Sequence, residues 1–241
     1  MPVSKPFRFK QFEIRQTYAA MKVSTDGVLL GAWSVLPNNA QHILDIGTGS
    51  GILALMIAQR APHARIDAIE PDEDACKDAL FNFQQSPWAS NLHLHCTHVQ
   101  HFAPNYPYEA IVCNPPYFRN SLQATHPARN YARHDISLTL EAMIRHAHRL
   151  LCPQNGVLSV ILPFDQSNAL LTKAAQYNLY PTHSMHIKTT PDKPFTRLVV
   201  ALARKRAEPP HHEEHIVQQQ GTPATYTSAH LQLTKDFYLF A

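Results

Sequence analysis

Glycine is scarce in this chain. Of 241 residues only 7 are glycine, and three of them, Gly47, Gly49 and Gly51, lie within five positions. Such sparing use with a single cluster marks a tight turn that needs bare backbone beside a ligand. Charged residues are few as well, at 16%, and the formal net charge is only +3. With 44% hydrophobic residues, that balance excludes a wholly disordered chain and fits one α/β domain. No apolar run approaches the length that crosses a bilayer. The basic, polar start of the chain lacks the apolar stretch of a secretory signal. The four cysteines, Cys76, Cys96, Cys113 and Cys152, form no CxxC pair. They read as reduced thiols of a cytoplasmic protein, with no zinc or disulfide framework.

The charges that are present sit unevenly. Residues 1–22 carry Lys5, Arg8, Lys10, Arg15 and Lys22 against one acid, Glu13. Arg119, Arg129 and Arg133 form a second basic stretch, and Arg204, Lys205 and Arg206 a third. Acids gather at Asp67, Glu70, Asp72, Glu73, Asp74 and Asp78. Basic segments of this kind suit a polyanion, and Arg8, Lys10, Arg129 and Arg133 are candidates for phosphate contacts. An ordinary solvated surface is the competing reading.

The apolar pattern gives an alternating order of elements. Residues 1–25 read as an extended or hairpin-like leader. A helix follows from Thr25 and Asp26 to the turn at 37–39. Strands are expected at 42–46, 65–70, 92–96, 108–113 and 156–162. Helices are expected from 52, at 72–83, at 138–151 and at 166–177. A closing strand pair takes 181–188 and 196–203. Strands and helices alternating in this way predict a parallel sheet with right-handed crossovers. The chain divides into a leader (1–25), a catalytic domain (26–206), and a linker with a short structured end (207–241). His211, His212 and His215 fall in that linker.

The glycine turn reads Asp45-Ile46-Gly47-Thr48-Gly49-Ser50-Gly51, between a strand and a helix. It therefore lies at the carboxyl edge of the sheet, where open α/β folds bind ligands. A dinucleotide fingerprint would need glycine at position 52, where Ile52 stands. An acid leading bare backbone suits a ligand with a cationic amino acid end, taken by Asp45 directly or through water. Glu70 ends the next strand about 20 residues on, the distance at which a carboxylate accepts from a ribose diol. A nucleoside at one end and an amino acid at the other describe S-adenosylmethionine (SAM), with S-adenosylhomocysteine as its product.

Asn114-Pro115-Pro116-Tyr117 follows strand 108–113 directly. Two prolines stiffen the chain where it leaves the sheet. The exocyclic amino group of adenine is a poor nucleophile because its lone pair is delocalised into the ring. The Asn114 side-chain carbonyl and the Pro115 backbone carbonyl can each accept one N–H. They thereby draw the nitrogen toward tetrahedral geometry. Tyr117 can stack on the base, worth about 1–3 kcal/mol. Such a site works by positioning and needs no strong general base.

The glycine turn and the Asn-Pro-Pro-Tyr motif together resemble the class I SAM-dependent methyltransferases that act on planar amino or amide nitrogens. Three further stretches are similar to a narrower family: residues 7–12, residues 21–33 and residues 233–239. That family is the bacterial tRNA (adenine-N6)-methyltransferases acting at position 37, beside the anticodon of a valine tRNA. The resemblance implies a Rossmann-like, seven-stranded, mostly parallel sheet with an antiparallel last strand and helices on both faces. It places Lys22 and Thr25 near the amino acid end of the cofactor, Asp45, Gly47 and Gly49 beneath it, and Glu70 on the ribose. Asn114, Pro115 and Tyr117 hold the target base, with Asn114 also facing the cofactor. Where relatives carry an acid for the cofactor adenine, this chain has His98, beside the apolar Val99. A neutral histidine accepts such a bond and a protonated one does not.

The implied partner is tRNA, with no membrane and no obligate protein partner. His93, His95, His98 and His101 lack a completing acid or cysteine set and read as structural, so no metal is expected. Glutamine methylation in release factors poses the same electronic problem. Enzymes of that type usually carry a helical domain before the turn, and here only some 40 residues precede it. Guanine-N2 methylation of ribosomal RNA is a further alternative, usually in longer, duplicated chains. An RNA-binding module with a degenerate site is opposed by the intact Asp45, Glu70 and Asn114.

Overall fold

The strands foreseen from short apolar runs assemble side by side in the computed structural model, which describes residues 5–115, 138–221 and 225–241. A small hairpin of β1 (Phe7–Arg8) and β2 (Glu13–Ile14) opens the chain. β3 (His42–Ile46), β4 (Arg65–Glu70), β5 (Leu92–Cys96), β6 (Ala110–Cys113) and β7 (Val157–Pro163) all pair in parallel. β8 (Tyr180–Lys188) and β9 (Phe195–Ala203) form the closing pair, with β9 antiparallel to both β7 and β8. β10 (His211–Ile216) adds an eighth strand, parallel to β8. The order across the sheet is β10-β8-β9-β7-β6-β3-β4-β5. Among the described residues only β9 runs against the others in this sheet, as the Rossmann-like expectation requires, but they supply one strand more than the seven expected.

The helices cover both faces. α1 (Thr25–Trp33), α2 (Ile52–Arg60) and α3 (Glu73–Gln84) pack on one side, through Val28, Leu30, Leu55, Met56 and Phe83. α4 (Leu140–Leu150) and α5 (Ser167–Gln176) pack on the other, through Met143, Ile144, Ala147 and Leu170. Each start has a physical cause. The Ser24 hydroxyl accepts from Gly27 N at the head of α1, and Asp72 accepts from the Asp74 and Ala75 amides at the head of α3. Thr139 does the same for Ala142 at the head of α4.

Two expectations need correction. The segment after Ala207 is not a linker. β10 extends the sheet, and α6 (Ser228–Thr234) folds back against α1 and β10. His215 and His230 are buried, with Nε2 of the first 3.1 Å from Nδ1 of the second. Its polar residues hid this strand because it lies at the edge of the sheet with its first four residues exposed on both faces. Second, Cys76 on α3 and Cys96 at the end of β5 are joined by a disulfide, their Cα atoms 6.2 Å apart, so they are not reduced thiols. Helix α3 doubles the chain back beside β5, a proximity that a 20-residue separation does not announce. Within the acidic cluster, Asp67 and Asp78 are fully buried. Burial opposes the charge on Asp67. Hydrogen bonds from His95, Arg65, Tyr106 and Tyr108 outweigh it and hold that carboxyl well below its usual range. His95 is thereby committed to the sheet.

The turn from β3 to α2 sets the position of everything at the carboxyl edge. Gly51 has φ +90°, and a Cβ there would come within 2.6 Å of the buried Phe83 ring. Gly51→Ala should therefore lower stability by more than the roughly 1–2 kcal/mol of a left-handed residue alone. Urea unfolding measures the loss; a variant as stable as the parent would show that the turn can relax.

Candidate active site

Parallel pairing brings the ends of β3, β4 and β6 level, with Ile46 opposite both Ile69 and Cys113. The chain leaving β3 turns at once, and the Gly47 and Thr48 amides donate to Ile69 O at 2.9 and 3.0 Å. Gly47 and Gly49 both have left-handed φ, +74° and +57°. A Cβ on either would meet no protein atom within 4 Å. The bare backbone thus faces open space, which is the geometry of a cradle for a ligand.

That space is a cavity of about 350 Å³. Gly47, Gly49 and Glu70 form its floor, His98 and Val99 one end, and Asn114 another part of the wall. Five sequence-derived candidates, together with Asn114, are therefore gathered around one void. Glu70 is only 8% exposed, and its carboxylate accepts from Gly49 N at 2.8 Å and Asp72 N at 2.9 Å. Burial pushes its pKa up, and those two backbone donors oppose the push. A carboxylate has about four acceptor sites, so two remain for a diol. Pro115 is buried immediately after Asn114.

Other candidates stand elsewhere. Asp45 does not border the cavity. It lies beneath the turn, completely buried, where Oδ2 accepts from the Thr48 hydroxyl at 2.6 Å and from Ala54 N at 3.2 Å. Its Oδ1 has no protein partner. Lys22 donates to the Gln16 carbonyl, and Thr25 opens α1 beside a separate depression. Arg8 pairs with Glu13 at 2.9 Å on the surface. Lys10 donates to the main-chain oxygens of Lys235 and Ala241, at 2.5 and 2.8 Å, and so ties the leader to the end of the chain. Tyr117, Arg129 and Arg133 lie outside the described residues.

The sequence reading missed one whole wall. Ala19, Ala20 and Met21 border the cavity, as do Asp72 and Ala75 from the start of α3. No chemistry-bearing side chain flags residues 19–21, and only the path of the leader past the cavity makes them part of the site. The cavity fits SAM on its own observations: a glycine cradle, a buried carboxylate with free acceptor sites, and largely apolar walls. Gly47, Gly49 and Glu70 are the residues that would hold it.

Comparison with known proteins identifies the family. Residues 27–177 match the family model described as the methyltransferase small domain. A tRNA1(Val) (adenine(37)-N6)-methyltransferase of Flavobacterium psychrophilum is 39% identical over 97% of this chain and 99% of its own. The protein of the same name from Vibrio cholerae is 42% identical over 98% of this chain and 96% of its own. Among solved structures, a predicted O-methyltransferase of Agrobacterium tumefaciens superposes with a TM-score of 0.66. The alignment covers 88% of this chain and 96% of the other at 18% identity, which is a likeness of fold.

Burial raises the Asp45 pKa from 3.8 to about 7, against the lowering effect of its bonds from Thr48 and Ala54. Folding then favours the protonated acid. Its contribution to stability is complete below the ordinary carboxylate range and is lost as pH rises toward 7. Asp45→Asn should remove that slope and so gain on the parent between pH 5 and pH 7.5. Urea unfolding of both proteins at the two pH values measures it; parallel profiles would mean that Asp45 does not titrate there.

Proposed function

Because the chain belongs to the methyltransferase small domain family and, with its curated relatives, to the tRNA1(Val) (adenine(37)-N6)-methyltransferases, we propose that it methylates the exocyclic N6 of an adenosine in tRNA, at position 37 beside the anticodon of a valine tRNA. The observation that carries this reading is the placement of Asn114 at the wall of the cavity formed by the glycine turn and Glu70. Target amide and cofactor cradle thus share one void.

When bound, SAM supplies an electrophilic methyl group on a sulfonium. The protein's part is to hold. Glu70 takes the ribose hydroxyls while it fixes Gly49 from behind. His98 would accept from the adenine amino group, and Val99 would lie against the ring. Gly47 and Gly49 would admit the amino acid end. The Asn114 side-chain carbonyl and the Pro115 backbone carbonyl would each accept a hydrogen bond from one N6–H of the target adenosine, and Tyr117 would stack on that base. This leaves the nitrogen lone pair directed at the cavity, and the surplus proton departs to water. An anticodon-loop adenosine is unpaired, so turning it into such a pocket has a small energetic cost. Arg8, Arg129 and Arg133 are the phosphate contacts this reading favours, and Lys10 acts first as a clasp to the chain's end. No described helix is long and apolar enough to cross a membrane.

A methyl-transfer assay offering total tRNA, ribosomal RNA and a release factor separates this activity from glutamine and guanine-N2 methylation. Mass spectrometry of digested tRNA then maps the nucleotide, and methyl label confined to the protein substrate would overturn the proposal. Within the site, Asn114→Ala should reduce turnover about 100-fold or more, the scale of one lost preorganised polar contact, with SAM affinity nearly intact. Turnover close to that of the parent would remove Asn114 from the chemistry. Glu70→Ala should weaken SAM by about 1.5–3 kcal/mol, the worth of hydrogen bonds to a charged group, without changing the nucleotide modified. Calorimetry that finds equal affinities would take Glu70 out of the cofactor site.

A further inference from the structure

The wall contributed by residues 19–21 does not hold itself up. Two side chains one turn apart on α3, Asp78 and Asn82, grip the leader just before it reaches the cavity. Both are buried, at 0% and 2% exposure. Asp78 Oδ2 accepts from Tyr18 N at 2.6 Å and from Ala19 N at 2.9 Å, and its Oδ1 accepts from Arg15 Nε at 3.0 Å. The Asn82 amide accepts from Arg15 N and donates to Arg15 O, each at 2.8 Å. The same Asn82 nitrogen donates to Ser50 O, inside the glycine turn, at 2.8 Å. Arg15 completes the grip by donating to Lys77 O and lying 3.8 Å over the Phe81 ring.

One residue therefore touches both the glycine turn and the leader, and its neighbour one helical turn away holds the two amides next to the cavity. We propose that Asp78 and Asn82 are positioning residues for the cofactor: they hold residues 15–19 and thereby place residues 19–21 as a wall of its cavity, so that SAM affinity depends on two side chains that do not border that cavity. The proposal rests on the SAM reading above. The physical reason is preorganisation. Residues 19–21 have short or flexible side chains and little to fix them by themselves. A segment that must be ordered at each binding event subtracts its ordering entropy from affinity, and one already held does not. A carboxylate is suited to the task because it accepts two adjacent backbone N–H groups on one oxygen and a guanidinium on the other.

The test separates positioning from general stability. SAM affinity is measured by calorimetry, well below the melting temperature, for the parent, Asp78→Ala, Asp78→Asn and Arg15→Ala. Initial rates give kcat at saturating SAM and the KM for tRNA. Amide hydrogen exchange reports on Tyr18 and Ala19. The expected result for Asp78→Ala is a SAM Kd weakened by about tenfold or more, the scale of losing charge-assisted bonds. Its kcat at saturating SAM and its KM for tRNA should stay near parental values. Protection should be lost at Tyr18 and Ala19 and kept in β3 and α1. Asp78→Asn retains one acceptor oxygen and should fall between the two. Arg15→Ala leaves the buried carboxylate in place, and it should weaken SAM several-fold even where Asp78→Ala fails to fold. Variants that bind SAM as the parent does, despite faster exchange at residues 18 and 19, would overturn the proposal alone. A parent protein that binds no SAM would overturn the methyltransferase reading, and this proposal with it.

Discussion

Buried carboxylates that accept backbone N–H groups hold the working edge of this molecule together. Asp45 receives Thr48 and Ala54 and shapes the glycine turn from below. Glu70 receives Gly49 and Asp72 and locks that turn to the end of β4. Asp78 receives Tyr18 and Ala19 and brings the leader over the top. Loops at a sheet edge have backbone donors with no ladder partner, and burying them unpaired is unfavourable. A carboxyl group supplies several acceptor sites in a small volume, so Glu70 and Asp78 each satisfy two backbone amides, and Asp45 satisfies a hydroxyl and an amide. The three acids act in sequence across the edge and define a cavity whose floor, side and cover come from separate parts of the chain.

That construction suits chemistry done by placement. Methyl transfer to a planar amino nitrogen needs two fixed acceptors and a fixed electrophile more than it needs a strong base. Asn114 leaves β6 in register with the end of β3, so the proposed acceptor for the base and the proposed cradle for the cofactor share one sheet.

The end of the chain serves the same purpose at a distance. Lys10 bonds the oxygens of Lys235 and Ala241, while Phe237 and Tyr238 bury themselves in the core beside Phe9 and Phe12. The leader is thus held at the amino hairpin by the chain's end and at residues 15–19 by α3. The His215–His230 pair belongs to the same docking. Burial pushes the His230 pKa down to about 4, so the pair is neutral under ordinary conditions and packs as part of the interior.

The strand and helix order, the parallel sheet, the glycine turn, Glu70 and the Asn114-Pro115 exit were all legible in the sequence by itself. Each rests on short-range chemistry: apolar period, turn residues, capping side chains, and a motif with a fixed spacing. Tertiary structure alone decided the rest. It moved Asp45 from the cavity to its foundation and turned Lys10 from a surface charge into a clasp. It joined Cys76 to Cys96 across α3 and made an eighth strand of a polar, histidine-rich segment. It also closed the cavity with residues 19–21, whose side chains carry no chemical signal. Most of these depend on which segments meet in space, from 20 residues apart for the disulfide to 231 for Lys10 and Ala241, and hydrophobic period and local propensity do not name such a partner.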